Sequence, residues 1–149
     1  MHAMDLMETA TRANAPRLRR RVIGTLRSWD VPLDDDTAFA VGVVVSNVFG
    51  AALRPPRWQG QLATVRLVLV GRALTVEVLT GTGAFPTRRT PSAGRLPEIL
   101  AIHTTDTGIE QRLRGTRVWA TTLLPAGAPR RRARHRFRRL RHRWARAFS

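Results

Sequence analysis

Residues 37–53 read TAFAVGVVVSNVFGAAL, and the conformation of this stretch decides the fold. It follows Asp34-Asp35-Asp36, and aspartates at that place suit both a helix N-cap and the positive end of a helix dipole. From Ala38 to Val48 the stretch is apolar on nearly all sides, as in a helix buried between other elements rather than laid on a surface. The β-branched run Val43-Val44-Val45 also permits a strand. The cap residues favour a helix over 37–53.

Outward from this segment the pattern alternates. Upstream, Leu18, Val22, Leu26 and Trp29 recur at helical spacing with arginines between them, which predicts a helix over 16–29 opened at Asn14 and Pro16 and closed by Val31-Pro32. Downstream, after Pro55-Pro56, residues 63–70 (ATVRLVLV) and 73–79 (ALTVEVL) predict two strands joined at Gly71-Arg72 as a short hairpin. Residues 80–95 turn to Gly, Pro, Thr and Ser and read as a long connection. A short helix over 96–103 and a second hairpin, 108–114 with 116–124 turning near Gly115, complete the body. The order helix, helix, hairpin, helix, hairpin predicts an α+β two-layer α/β sandwich, a mixed sheet with helices on one face.

Composition sets the outer limits. A chain of 149 residues with 43% hydrophobic residues can bury a real core but not two full domains. All 26 basic residues are arginine, against 10 acids, for a net charge of +16. That charge divides the chain at about residue 125: residues 1–124 hold sixteen arginines and all ten acids, and residues 125–149 hold ten arginines and no acid. The absence of cysteine excludes a disulfide framework, a thiol nucleophile and any Cys-ligated metal. The four histidines lack H-E-x-x-H spacing, which argues against a zinc hydrolase. The opening residues, with Asp5 and Glu8, do not read as a signal peptide, and no apolar run approaches the 18 residues of a spanning helix. A cytoplasmic protein is expected.

The segment VVVSNVFGAAL (43–53) resembles the first motif of the histidine-kinase-like ATPase superfamily, in particular the small actinobacterial ATP-binding regulators related to anti-sigma serine kinases. In that family the helix carries a Glu and, four residues later, an Asn; here the positions hold Val43 and Asn47. LTVEVLTGTGAFP (74–86) resembles the second motif, a strand ending in Asp before a glycine-containing turn, with Thr80 in the Asp position and Gly81 and Gly83 in the turn. Gly94-Arg95 before an apolar segment is similar to the nucleotide lid without its second Gly, and Gly115-Thr116-Arg117-Val118-Trp119 resembles the final strand motif. The match spans about residues 12–124, so residues 1–124 are identified as a degenerate domain of this type.

The resemblance implies ATP and Mg²⁺ as ligands, Asn47 as the metal-binding residue, and Asn47, Thr80, Gly81, Gly83, Gly94 and Thr116 as the nucleotide-binding set. It also implies a sigma factor or an anti-anti-sigma protein as partner, and a homodimer as a possible state. The motif substitutions weigh against catalysis. Val43 cannot act as the general base, a loss typically worth about 10²–10⁴ in rate. Thr80 offers adenine a neutral, shorter acceptor than Asp, a defect of roughly 1–3 kcal/mol. Asn47 also reads as a buried hydrogen-bonder, Gly81-Thr82-Gly83 as a plain turn, and Arg88, Arg89 and Arg95 either as phosphate contacts or as solvated charge. No catalytic residue is assigned.

The tail places Ala133, Phe137, Leu140, Trp144 and Phe148 at spacings of four, three, four and four among arginines, which reads either as a basic amphipathic helix or, in isolation, as a disordered basic tail whose like charges repel. Arg131, Arg134, Arg138 and Arg141 are its expected polyanion contacts, for nucleic acid or an anionic membrane. A regulatory protein acting by protein–protein binding is the leading expectation. A nucleic-acid- or membrane-binding protein and an active ATP-dependent serine kinase are the alternatives.

Overall fold

A computed structural model describes residues 1–82, 85 and 96–127. Among these, β1 (His2–Thr9) leads through a single turn of 3₁₀ helix (Arg12–Asn14) into α1 (Ala15–Ser28) and α2 (Asp35–Ala52). A second such turn (Pro56–Trp58) precedes β2 (Leu62–Val70) and β3 (Ala73–Gly81), and α3 (Ile99–His103), β4 (Asp106–Arg112) and β5 (Gly115–Leu123) follow. The strands form one open five-stranded sheet in the order β1-β2-β3-β5-β4. The protein is therefore α+β.

Residues 37–52 are helical, within α2, as the cap residues indicated, and Leu53 is the C-cap. The Asp34 carboxylate accepts the Thr37 amide at 2.7 Å, and Asp35 and Asp36 occupy the first turn, where an anion meets the helix dipole favourably. The valines that permit a strand are overridden by burial: Val41, Val44, Val45, Val48 and Phe49 are at most 1% exposed. Hydrogen bonds from the Thr37 hydroxyl and then its amide hold the Asp34 carboxyl below its ordinary value of 3.8. A carboxyl whose folded value is depressed stabilises the fold above its unfolded value and stops doing so as pH falls through the folded one. Asp34→Ala is thus expected to lower the melting temperature at neutral pH, with the gap from wild type closing in scans run well below pH 3.8. A gap that persists there unchanged would exclude the cap as its cause.

α1 ends with the Val31 amide donating to Leu26 O and the Asp30 amide to Arg27 O, both at 3.0 Å. Asp30 takes the left-handed conformation at φ 60° that closes such a helix end. The chain then reverses so that α1 packs on α2 and α2 lies over β3 and β5. One sheet face meets these helices: Leu6, Val65, Val78, Val118 and Ile109 stand in one cross-strand row and Leu67, Val76 and Ala120 in the next. With Leu18, Val22 and Leu26 of α1 they form the core.

Three expectations are corrected. The sheet is antiparallel at every pairing rather than mixed, because β5, the return strand of the second hairpin, takes the place beside β3 and leaves β4 on the edge. The opening residues, to which no element was assigned, form β1. The third helix occupies only Ile99–His103 instead of 96–103, since Leu96 and Pro97 are not helical. The Gly71-Arg72 turn stands where expected, whereas the second hairpin turns at Leu113-Arg114.

The opposite sheet face carries alternating charges across all five strands. Arg66 meets Asp5 at 2.9 Å and Glu77 at 3.5 Å; Arg117 meets Glu77 at 3.3 Å and Glu110 at 3.4 Å; Arg112 meets Glu110 at 2.6 Å. The hydrogen bond to Asp5 raises the Arg66 guanidinium above its ordinary value. The outer members are solvated, but the side chains of Glu77, Arg117 and Glu110 are 4–5% exposed. The Phe85 ring lies 4.9 Å from the Arg117 guanidinium and 5.6 Å from that of Arg112. Trp119 covers Gly108, where any Cβ would strike the indole, and its Nε1 donates to Asp106 at 3.2 Å.

Candidate functional site

A cavity of about 820 Å³ opens between α1 and α2, with Ile99 of α3 at its rim. Its walls follow from helical period. Leu18, Val22 and Leu26 turn the core face of α1 inward, so Arg19, Arg20, Ile23 and Arg27 fall on the flank beside α2. On α2 the buried valines leave Phe39, Val43, Ser46 and Asn47 on the matching flank. Gly42 leaves room for the Arg19 side chain, since a Cβ there would sit 3.2 Å from Arg19 Cδ. Arg19 Nη1 reaches across to donate to Ser46 Oγ at 2.9 Å. No carboxylate or histidine is among the lining residues.

Asn47 lines this cavity together with Val43, so the pair at the resembling motif's Glu and Asn positions does share one wall. The Asn47 Nδ2 donates to Val43 O at 2.8 Å, a bond back along its own helix. Thr80, Gly81 and Thr116 lie elsewhere, at the far end of the β3–β5 pairing, and none of them lines the cavity. Thr80, 2% exposed, donates its hydroxyl to Thr116 O at 3.4 Å. The Thr116 hydroxyl accepts from Trp58 Nε1 at 3.2 Å. Gly81 adopts φ 85°, and a Cβ there would collide with the Arg114 carbonyl, so the backbone requires glycine at this position whatever binds nearby. Gly83, Gly94, Arg88, Arg89, Arg95 and the tail residues Arg131, Arg134, Arg138 and Arg141 lie outside the described residues.

ATP and Mg²⁺ fit these residues only in part. The arginine wall has the sign a phosphate needs, yet among the described residues no cluster of three or more His, Asp or Glu could hold a metal. Mg²⁺ is ordinarily held by carboxylates together with phosphate oxygens, and the amide of Asn47 is a weaker donor than either. The Thr80 hydroxyl is already engaged inside the core. These residues do not assemble a proton acceptor beside a metal, and no catalytic step follows from them.

The arginines of the cavity were not among the sequence-derived site residues, because they read as solvated charge between apolar positions of α1. The signal that could have found them is the recurrence of Arg19, Arg20, Ile23 and Arg27 on the flank opposite the core stripe. Among the described residues no helix is long and apolar enough to cross a membrane. No protein-family model matches the chain, and no curated protein matches it either.

Proposed function

We propose that the chain is a cytoplasmic regulatory domain of the histidine-kinase-like ATPase type that acts by binding a protein partner, with its nucleotide chemistry degraded. The observation that carries this reading is the wall shared by Val43 and Asn47: the position that would need a proton acceptor presents an isopropyl group, and its carbonyl takes the Asn47 amide. The helix pair laid on one face of the sheet, with α2 central, supports the α+β part of the fold assignment. By resemblance the partner is a sigma factor or an anti-anti-sigma protein.

Titration with ATP, with and without Mg²⁺, tests the reading. Weak binding, unchanged by Mg²⁺, and no turnover above background are expected. Val43→Glu alone should leave turnover absent, because a general base contributes about 10²–10⁴ only where the rest of the site is in place. Hydrolysis or serine phosphorylation by the unaltered chain would overturn the reading in favour of an active kinase. The ten arginines of residues 125–149 support a second reading, a protein that binds nucleic acid or an anionic membrane. DNA or acidic-vesicle affinity that falls steeply with salt, as counterion release requires, would favour it.

A further inference from the structure

We infer that the α1–α2 groove is a docking site for an acidic amphipathic helix of a partner protein. The inference rests on the protein-binding reading above and gives it a location and a partner chemistry. Three observations carry it. First, the lining has one sign of charge: Arg19, Arg20 and Arg27 stand along α1, and no carboxylate lines the groove. Among the described residues the Arg20 and Arg27 guanidinium groups have no hydrogen-bond or ion-pair partner, so a ligand can engage them without displacing an internal contact.

Second, apolar side chains are left outward beside these arginines. Phe39 is 72% exposed and Ile99 43%, and Ile102 on the next turn of α3 is 79% exposed. Phe39 and Ile99 both line the cavity, and exposed side chains of this size there mark a surface that buries apolar area on association. Third, the shape is elongated. The lining of α1 runs from Pro16 to Arg27, roughly 16 Å at 1.5 Å per residue, which matches about three turns of a helix lying in the groove. Helix-in-groove recognition combines an apolar stripe at i, i+3, i+4 and i+7 with flanking charges complementary to the rim.

Charge also excludes a nearer occupant. The chain's own residues 125–149 carry ten arginines and no acid, the same sign as the groove wall, so their apolar stripe would enter it against repulsion. An acidic helix is instead attracted by the arginines of the lining.

The test uses the full chain and a fluorescent three-turn synthetic peptide with leucine at i, i+3, i+4 and i+7 and glutamate at its other positions. Two control peptides replace glutamate by lysine or leucine by serine. The acidic amphipathic peptide is expected to bind, with Arg20→Glu plus Arg27→Glu weakening it by at least about tenfold and Phe39→Ala weakening it several-fold. All three positions are exposed, and circular dichroism verifies that the variants fold. The lysine peptide is expected not to bind. Equal binding of the serine control, or binding untouched by the groove substitutions, assigns the affinity to the arginine tail and overturns the inference. So does stoichiometric binding of palmitate without peptide binding, or a dimer of the free chain that Phe39→Ala dissociates. Failure of the peptide with ATP turnover still absent would refute the groove alone, whereas ATP turnover would refute the reading beneath it.

Discussion

Replacing Arg117 with methionine is expected to destabilise the protein by about 3–5 kcal/mol, the usual cost of breaking a buried ion pair by removing one partner. Arg117 lies between Glu77 and Glu110, and all three side chains are 4–5% exposed. Its removal leaves Glu77 with the half-exposed Arg66 and Glu110 with the half-exposed Arg112 in place of a buried cation between them. In a domain of this size that loss corresponds to a fall in melting temperature of roughly 10–25 °C. Arg117→Met combined with Glu77→Gln and Glu110→Gln should recover part of the loss, because an amide avoids the buried charge. Thermal melts of the single and triple variants check this. A single variant that melts with wild type would show that the charges are solvated.

Two phenylalanines on one helix supply the second large contrast. Phe49 is 0% exposed and Phe39 is 72% exposed, although both stand on α2. Phe49→Ala empties a packed position between the helix layer and the sheet and should cost about 3–5 kcal/mol. Phe39→Ala removes contacts mainly with solvent and should stay within about 0.5 kcal/mol of wild type. Urea unfolding of the pair at matched m-values measures the difference. Equal losses would mean that the face assignment of α2 is wrong, and with it the placement of the groove.

The elements legible in the sequence are those with local signals. The α2 start was marked by Asp34, the first hairpin by Gly71-Arg72, and the α1 core stripe by Leu18, Val22 and Leu26. β1 carried no such signal. Of its residues only Leu6 and Glu8 are buried, and Glu8 is admitted to the interior by Arg21, which meets it at 2.9 Å from a different element. The charged ladder was illegible for a related reason. Arg66, Glu77 and Arg117 become neighbours only through the register that sets Arg66 against Glu77 and Glu77 against Trp119, and a one-residue slip would send each to the other face. Of the candidate site, Asn47 was placed in a groove while Thr80 and Thr116 were drawn into the core by Trp58. Position along a strand says that a hydroxyl sits near its end, not which other side chain has already claimed it.

The order of elements along the chain has a consequence for biogenesis. α2 is covered on its core side by β3 and β5, yet it precedes both in sequence, and β5 ends only at Leu123. A ribosome adding about 5–20 residues per second leaves this helix waiting for several seconds before its sheet exists. During that interval Val41, Val44, Val45, Val48 and Phe49 have only α1 to shield them. Nascent chains of this protein thus carry transiently unburied apolar side chains, the kind of surface that makes folding intermediates prone to aggregate. Synonymous changes that slow elongation between residues 53 and 115 should reduce soluble yield without altering one atom of the finished fold.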